Sequence, residues 1–149
     1  MSLKHNVFSS CIELLNEKIE YLNAALSDLA FGSENDAKSS AGDKHETARA
    51  MMQIEHEKIG NQREEFLRQK NEIASIDVNR KSEQVTKGSL IKTNHGYLFL
   101  AVAIGKITVK GTPVIALSPI SPLGQKLIGL KATDNVEMNG VKYVIEEVV

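Results

Sequence analysis

The sequence predicts an α+β protein, with a long antiparallel coiled-coil hairpin at the N-terminus followed by a small, mainly antiparallel β domain with one short helix. Three observations support this prediction. Apolar residues recur at heptad spacing in the first half of the chain, they recur at a period of two from Val85 onward, and the stretch between the halves is polar. The expected boundaries are 1–77 for the hairpin, 78–84 for a linker and 85–149 for the β domain.

The first helix is indicated by apolar residues whose spacings alternate between four and three, as in a coiled-coil seam. These residues are Phe8, Ile12, Leu15, Ile19, Leu22, Leu26 and Leu29. No Gly or Pro interrupts residues 6–31. A second helix is indicated by apolar residues that recur at every seventh position. Polar residues occupy the alternate seam positions, so this seam is weaker than the first. Its apolar members are Met52, Ile59, Phe66 and Ile73.

The two seams are mirror images about a point between Ser40 and Ala41. A chain that folds back there pairs Phe8 with Ile73, Leu15 with Phe66, Leu22 with Ile59, and Leu29 with Met52. The tip of this hairpin is expected near 32–47. It contains the hexapeptide 42–47, in which Asp43 and Glu46 place two carboxylates three residues apart.

Two interpretations of the tip acids stay open. Asp43 and Glu46 are typical of a capping box, in which the Asp side chain accepts from the first free N–H groups of the helix and the Glu reaches back. Alternatively, both carboxylates face outward and serve a partner's site. The roles can also be divided, with Asp43 or Ser40 capping the helix while the remaining acid is exposed.

Composition excludes several classes of protein. The single cysteine, Cys11, excludes a disulfide framework and a cysteine-based zinc site, so a reducing, cytoplasmic setting is expected. The four histidines do not fall at metal-ligand spacing. No segment resembles a signal peptide or a membrane span, so no membrane partner is expected.

Charge is distributed unevenly along the chain. Residues 1–77 carry 9 basic and 14 acidic side chains, net −5, whereas residues 78–149 carry 9 and 5, net +4. The negative charge of the hairpin argues against nonspecific binding to duplex nucleic acid. The opposite net charges of the two parts of the chain would orient the molecule in the electrostatic field of a partner.

Three strands and a hairpin are predicted in the β domain. The strands are 89–93, 97–104 and 112–117, and the hairpin covers 136–144. The first two strands flank Asn94-His95-Gly96, a tight-turn signal, and the hairpin is built on the dipeptide Asn139-Gly140, which favours a two-residue turn.

A short helix is predicted over 122–128. Ser121 is a suitable N-cap, Pro122 suits the first helical position, and Gly129 follows the last one. The surrounding segment, 121–131, reads Ser-Pro-Leu-Gly-Gln-Lys-Leu-Ile-Gly-Leu-Lys. It is followed by Asp134, Val136 and Tyr143 in the stretch that contains the predicted hairpin.

This order of elements, with a Gly-Asp-x-x-Glu tip, resembles the bacterial Gre transcript cleavage factors over nearly the whole chain. The resemblance implies that 85–149 is an FKBP-like domain. It also implies that the hairpin enters the secondary channel of RNA polymerase. There the tip acids help the polymerase hold a second Mg²⁺ and position water, so that the polymerase active site cleaves a backtracked RNA 3′ end.

Carried over by position, Asp43 and Glu46 are the catalytic pair and the ligands of the Mg²⁺ that is shared with the polymerase. Lys44, His45 and Arg49 are candidates for contact with the RNA 3′ end. The candidates for docking on the polymerase are Ser121, Pro122, Leu123 and Gly124. The resemblance implies a monomeric accessory factor of the cytoplasm that binds no cofactor alone and has no catalytic activity of its own.

The tip departs from the family pattern Gly-Asp-Leu-x-Glu-Asn-Ala-x-Tyr. Lys44 stands in place of the leucine, Thr47 in place of the asparagine, and Ala50 in place of the aromatic residue. A lysine between the two acids weakens Mg²⁺ binding by charge. One alternative is therefore an inhibitor or modulator of the same channel that does not stimulate cleavage. The rival from a different class is a coiled-coil chaperone or oligomerisation module.

Overall fold

The computed structural model describes residues 2–39 and 43–149, with the side chains of 31–45 outside the description. Two long N-terminal helices precede a six-stranded mixed sheet and a short helix, which confirms the predicted α+β class. The helices are α1 (Leu3–Ser39), α2 (Asp43–Ala74) and α3 (Pro122–Leu127). The strands are β1 (Leu90–Thr93), β2 (Gly96–Leu100), β3 (Gly105–Val109), β4 (Thr112–Leu117), β5 (Asn135–Met138) and β6 (Val141–Val148).

The chain forms two compact units. The first unit comprises Met1–Glu13 together with Asn71–Val149, and the second comprises Leu14–Lys70. This division differs from the boundary that the sequence suggests after residue 77. The start of α1 belongs with the β domain because it is tied to the segment after α2, where Lys4 Nζ donates to Arg80 O at 2.8 Å.

The buried stripe of α1 differs from the predicted seam at its N-terminal end. Its buried apolar residues are Val7, Cys11, Leu15, Ile19 and Leu22. The predicted seam residues Phe8 and Ile12 are only half-buried. Val7 and Cys11 lie in the first unit, where the chain after α2 also contacts α1. In the first turns of α1 the buried face is therefore shifted by one residue from the predicted seam, to Val7 and Cys11.

The seam of α2 is weak, as predicted. Among its predicted members, Ile73 is fully buried, whereas Met52, Ile59 and Phe66 are half-buried. Around these residues α2 carries mostly polar side chains. Its helical state therefore depends on packing along one narrow stripe, as in a coiled coil.

Contacts within the second unit fit an antiparallel helical hairpin. Leu22 and Ile59, a predicted pair, line the same cleft. A second predicted pair, Leu29 with Met52, lines another cleft. Near the other end of the unit, Lys18 Nζ lies 5.1 Å from the centroid of the Phe66 ring, a cation–π contact between the two helices.

Cys11 provides a test of burial in α1. Burial raises the pKa of its thiol to about 11 from the ordinary 9.0. The neutral thiol therefore stabilises the fold fully below pH 9, and this contribution is lost as pH rises through about 11, because the unfolded chain ionises first. Relative to Cys11→Ala, the wild type is expected to lose up to about 3 kcal/mol of unfolding free energy over this interval.

Urea titrations of both proteins, followed by circular dichroism across this pH range, measure the difference. A difference that does not change with pH would show that the thiol is accessible to water in the folded protein.

The strand order in the sheet is β3-β4-β2-β1-β6-β5. Four neighbouring pairs are antiparallel, whereas β2 and β4 run parallel. The prediction of a mainly antiparallel sheet is confirmed, and the parallel pair is an addition to it. Strand β6 lies between β1 and β5 and is therefore paired on both sides.

Strand β3 is missing from the sequence prediction, which assigns 97–104 to a single strand. The chain instead leaves the sheet after Leu100. The N–H of Ile104 donates to Val102 O at 2.9 Å in a tight turn. Gly105 then adopts a φ of +90°, which residues with a Cβ rarely adopt. This turn starts a separate strand where the apolar run suggests continuity.

Two hairpins use two-residue turns with positive φ at both positions. Asn139 and Gly140 have φ values of 52° and 79°, which confirms the predicted β5–β6 hairpin. Lys110 and Gly111 have φ values of 48° and 80° and connect β3 to β4 in the same way. Lysine is a less common first residue for this turn than asparagine, so the second hairpin has the weaker sequence signal.

A hydrophobic cluster on the sheet forms the core of the β domain. Its buried members are Val85, Ile91, Leu98, Leu100, Leu117, Leu127 and Ile145. Leu127 comes from α3, which therefore packs on the sheet. Neither long helix, within the residues described, contains an apolar stretch that would span a bilayer.

Candidate functional site

The tip acids lie at the start of α2, which begins at Asp43. Glu46 follows in the first turn and is exposed to solvent. Residues three apart on a helix lie on neighbouring positions of one side, so the backbone brings these two positions together. The side chains of Asp43, Lys44 and His45 fall outside the described residues, as does the choice between capping and ligand roles for Asp43.

Arg49 is the one candidate for RNA contact whose side chain is described. It is exposed on α2, one turn after Glu46. Together with Met52 and His56 of the same helix and Leu29 of α1, it lines a cleft of about 230 Å³. A guanidinium beside an apolar cleft can contact a phosphate while its stem packs on the cleft wall.

The docking candidates occupy the start of α3. Ser121 is the N-cap, as predicted, and its Oγ accepts from the N–H of Gly124 at 3.1 Å. The same hydroxyl donates to Ser118 O at 2.6 Å, so it links the preceding loop to the helix. Pro122 occupies the first turn, as predicted. Ser121 therefore has a structural role in the loop.

Leu123 and Gly124 also serve the fold. Leu123 packs against the core cluster. Gly124 is buried, and a Cβ at this position would overlap Ser118 O and lie 3.0 Å from Pro119 O. Pro122 is thus the docking candidate with an exposed side chain, and Ile120, two residues earlier, is 81% exposed. Docking on a polymerase stays a prediction for this surface.

The described residues contain no group of three or more His, Cys, Asp or Glu side chains that could hold a metal ion. The predicted Mg²⁺ ligands are Asp43 and Glu46, and the side chain of Asp43 lies outside the described residues. In the prediction these two acids share the ion with the polymerase, so the hairpin contributes two ligating side chains and the polymerase the others.

The first unit also contains a pocket of about 280 Å³ that no sequence motif indicates. Leu3, Lys4, Val78, Lys92, Tyr97 and Glu147 are among the residues that line it. They come from α1, the segment after α2, and three strands, so no local motif unites them. The one signal in the sequence is Lys4, which stands one turn before Val7 on the buried stripe.

Comparisons of the chain with protein-family models, with curated proteins and with solved structures gave no match in any of the three. The resemblance to the Gre factors therefore depends on the motifs in the sequence alone.

Proposed function

We propose that the protein is a transcription elongation factor that inserts its hairpin into the secondary channel of RNA polymerase and stimulates cleavage of backtracked RNA. The observation that carries the proposal is the start of α2, where Asp43 is the first helical residue and Glu46 is exposed in the first turn. The resemblance to the Gre factors supplies the partner.

The chemistry requires oxygen ligands from the tip and little else. Mg²⁺ is bound by hard oxygen atoms, often one or two carboxylates, and keeps several waters. Two metal ions that flank a phosphodiester stabilise both the attacking and the leaving oxygen during in-line displacement. In this proposal the polymerase supplies the remaining ligands and the reacting RNA, and the protein has no activity when it is alone.

Arg49 is proposed to contact the RNA near its 3′ end. It is a cation on an acidic half of the chain, one turn from Glu46. Contacts with phosphate are electrostatic and independent of sequence, so they position RNA without selecting it. Lys44, which lies between the two acids in the sequence, is proposed to contribute in the same way rather than to bind metal.

The test adds the protein, with Mg²⁺, to a stalled and backtracked elongation complex and measures short 3′ RNA products. We compare the wild type with Asp43→Asn and Glu46→Gln. Asparagine caps helices about as well as aspartate, so Asp43→Asn removes the charge and retains a capping residue. Each variant is expected to lower the cleavage rate at least tenfold, roughly the loss seen when a metal site is weakened.

Glu57→Gln is the matched control, because Glu57 is an exposed acid elsewhere on α2. It is expected to cleave like the wild type. Binding is measured separately, by competition with a known ligand of the secondary channel. Binding without cleavage would support the inhibitor alternative. Absence of binding to the polymerase would refute the proposal, and equal cleavage by all three variants would refute the role of the tip acids.

The second candidate is a coiled-coil chaperone or oligomerisation module. The observation that favours it is the exposure of large apolar side chains on the hairpin: Tyr21 is 75% exposed, and Met51 and Ile54 are each 66% exposed. Exposed apolar residues of this kind can contact a second copy of the chain or a client protein. Sedimentation equilibrium distinguishes the candidates, since the polymerase factor is expected to be a monomer and the module a dimer or larger.

A further inference from the structure

The pocket in the first unit has apolar walls. Leu90 of β1 is 3% exposed, Tyr97 of β2 and Val78 are half-buried, and all three line the pocket beside Leu3. Its volume of about 280 Å³ equals about nine water molecules at ~30 Å³ each. A concave, mainly apolar site of this size suits a small organic molecule.

The pocket also carries excess positive charge. Three of its residues are lysines, Lys4, Lys81 and Lys92, and the acidic side chain among its lining residues is Glu147. Lys92 and Glu147 are partners in the register of β1 and β6, so their charges offset each other. Lys4 and Lys81 are the remaining cations among the lining residues. Asp77, an acidic neighbour of Lys4, lines a second cleft with Lys4 and does not line this pocket.

Lys4 is buried to an unusual degree for a lysine, with 6% of its surface exposed. An ammonium group has three donors, and the hydrogen bond described for Lys4 Nζ goes to Arg80 O. Burial lowers the pKa of Lys4, the nearby carboxylate of Asp77 opposes this shift, and the charge of Lys81 adds to it. An anionic group in the pocket would stabilise the charged form of Lys4 and give acceptors to its remaining Nζ donors.

We propose that this pocket binds a small organic anion, with a carboxylate or phosphate group held by Lys4 and Lys81 and an apolar body on Leu3, Val78 and Leu90. The anionic group supplies acceptors for Lys4 Nζ donors that Arg80 O does not use. The apolar body is limited to about the size of one aromatic ring. This site is separate from the hairpin tip, and its existence does not depend on binding to a polymerase.

The test titrates the full chain with benzoate, followed by ¹H–¹⁵N NMR of the backbone amides. Benzamide has the same ring without the charge, and acetate has the charge without the ring. Benzoate is expected to give saturable shifts around the pocket with a dissociation constant of order 1 mM, as suits so few atoms. Benzamide and acetate are each expected to bind at least fivefold more weakly, on the order expected for losing a charge-assisted hydrogen bond or a buried ring.

Two variants identify the cations. Lys4→Met and Lys81→Gln are each expected to weaken benzoate binding at least threefold, and Lys106→Gln, an exposed lysine on β3, is expected to leave it unchanged. If Lys4→Met does not fold, Lys81→Gln still tests whether a lysine holds the anionic group, because Lys81 is exposed and its substitution is compatible with folding. A parallel titration with phenyl phosphate shows which anionic group is preferred, and tighter binding of either ligand supports the site.

Three results would overturn the proposal. These are the absence of saturable shifts with both benzoate and phenyl phosphate, equal binding of benzamide and benzoate, and unchanged binding in a folded Lys81→Gln protein. Failure of the cleavage assay would leave these NMR results unaffected, so the two proposals are tested independently.

Discussion

Gly124→Ala is expected to destabilise the first unit by about 3 kcal/mol or more, the sum of overpacking and the loss of a helix cap. The new Cβ would overlap Ser118 O and lie 2.9 Å from Ser121 Oγ. These two oxygens cannot move independently, because the Ser121 hydroxyl bridges Ser118 O and the Gly124 N–H. Relief of the clash therefore breaks the cap of α3 and displaces Leu127 from the core.

Urea unfolding measures this effect, and Gly60→Ala is the control. Gly60 lies within α2, and a Cβ there would meet nothing within 4 Å. The same substitution at Gly60 is expected to be neutral or to stabilise by up to about 1 kcal/mol, from helix propensity. A Gly124→Ala protein with the wild-type midpoint would show that the loop before α3 can move away from the helix.

Ile91→Ala is expected to destabilise the β domain by about 2–5 kcal/mol, the usual range for removing a large buried aliphatic side chain. Ile91 is fully buried in the core cluster and lies on β1, which is paired on both sides, with β2 and with β6. The surrounding side chains come from several strands and from α3, so they cannot collapse into the cavity without moving the sheet.

Ile120→Ala is the matched control, since it makes the same change at a side chain that is 81% exposed. It is expected to change the free energy of unfolding by less than about 0.5 kcal/mol, as surface substitutions usually do. Denaturant titrations of both variants give the comparison. Equal losses at the two positions would mean that Ile120 packs against a surface in solution.

The sequence predicts the architecture well where a local pattern has a single physical reading. The heptad spacing identifies both long helices, and the Asn139-Gly140 turn and the Ser121 cap are found where predicted. Errors occur where tertiary contacts decide. The seam predicts that Phe8 is buried, but Val7 is the fully buried residue, because other chain segments cover that end of α1. The apolar run 97–104 predicts one continuous strand, but a turn at Val102–Ile104, closed by a backbone hydrogen bond, separates β2 from β3.

The candidate sites follow the same division. The position of Asp43 and Glu46 at a helix start can be predicted, because acids at this spacing are typical of helix starts. The role of Ser121 as a helix cap can be predicted from its residue type. The close approach of Gly124 to Ser118 O cannot, because it depends on how the loop before α3 folds. The lysine-rich pocket has no local pattern, because residues from both ends of the chain form it.

The discontinuous first unit gives the hairpin the properties of an insertion. Residues 14–70 leave the first unit after Glu13 and return to it at Asn71, so the β domain requires only that these two ends stay close. Deleting or adding one heptad in each helix keeps both seams in register and changes the length by ~10 Å at 1.5 Å per residue. Hairpin length is thus a variable that evolution or engineering can change without redesigning the β domain.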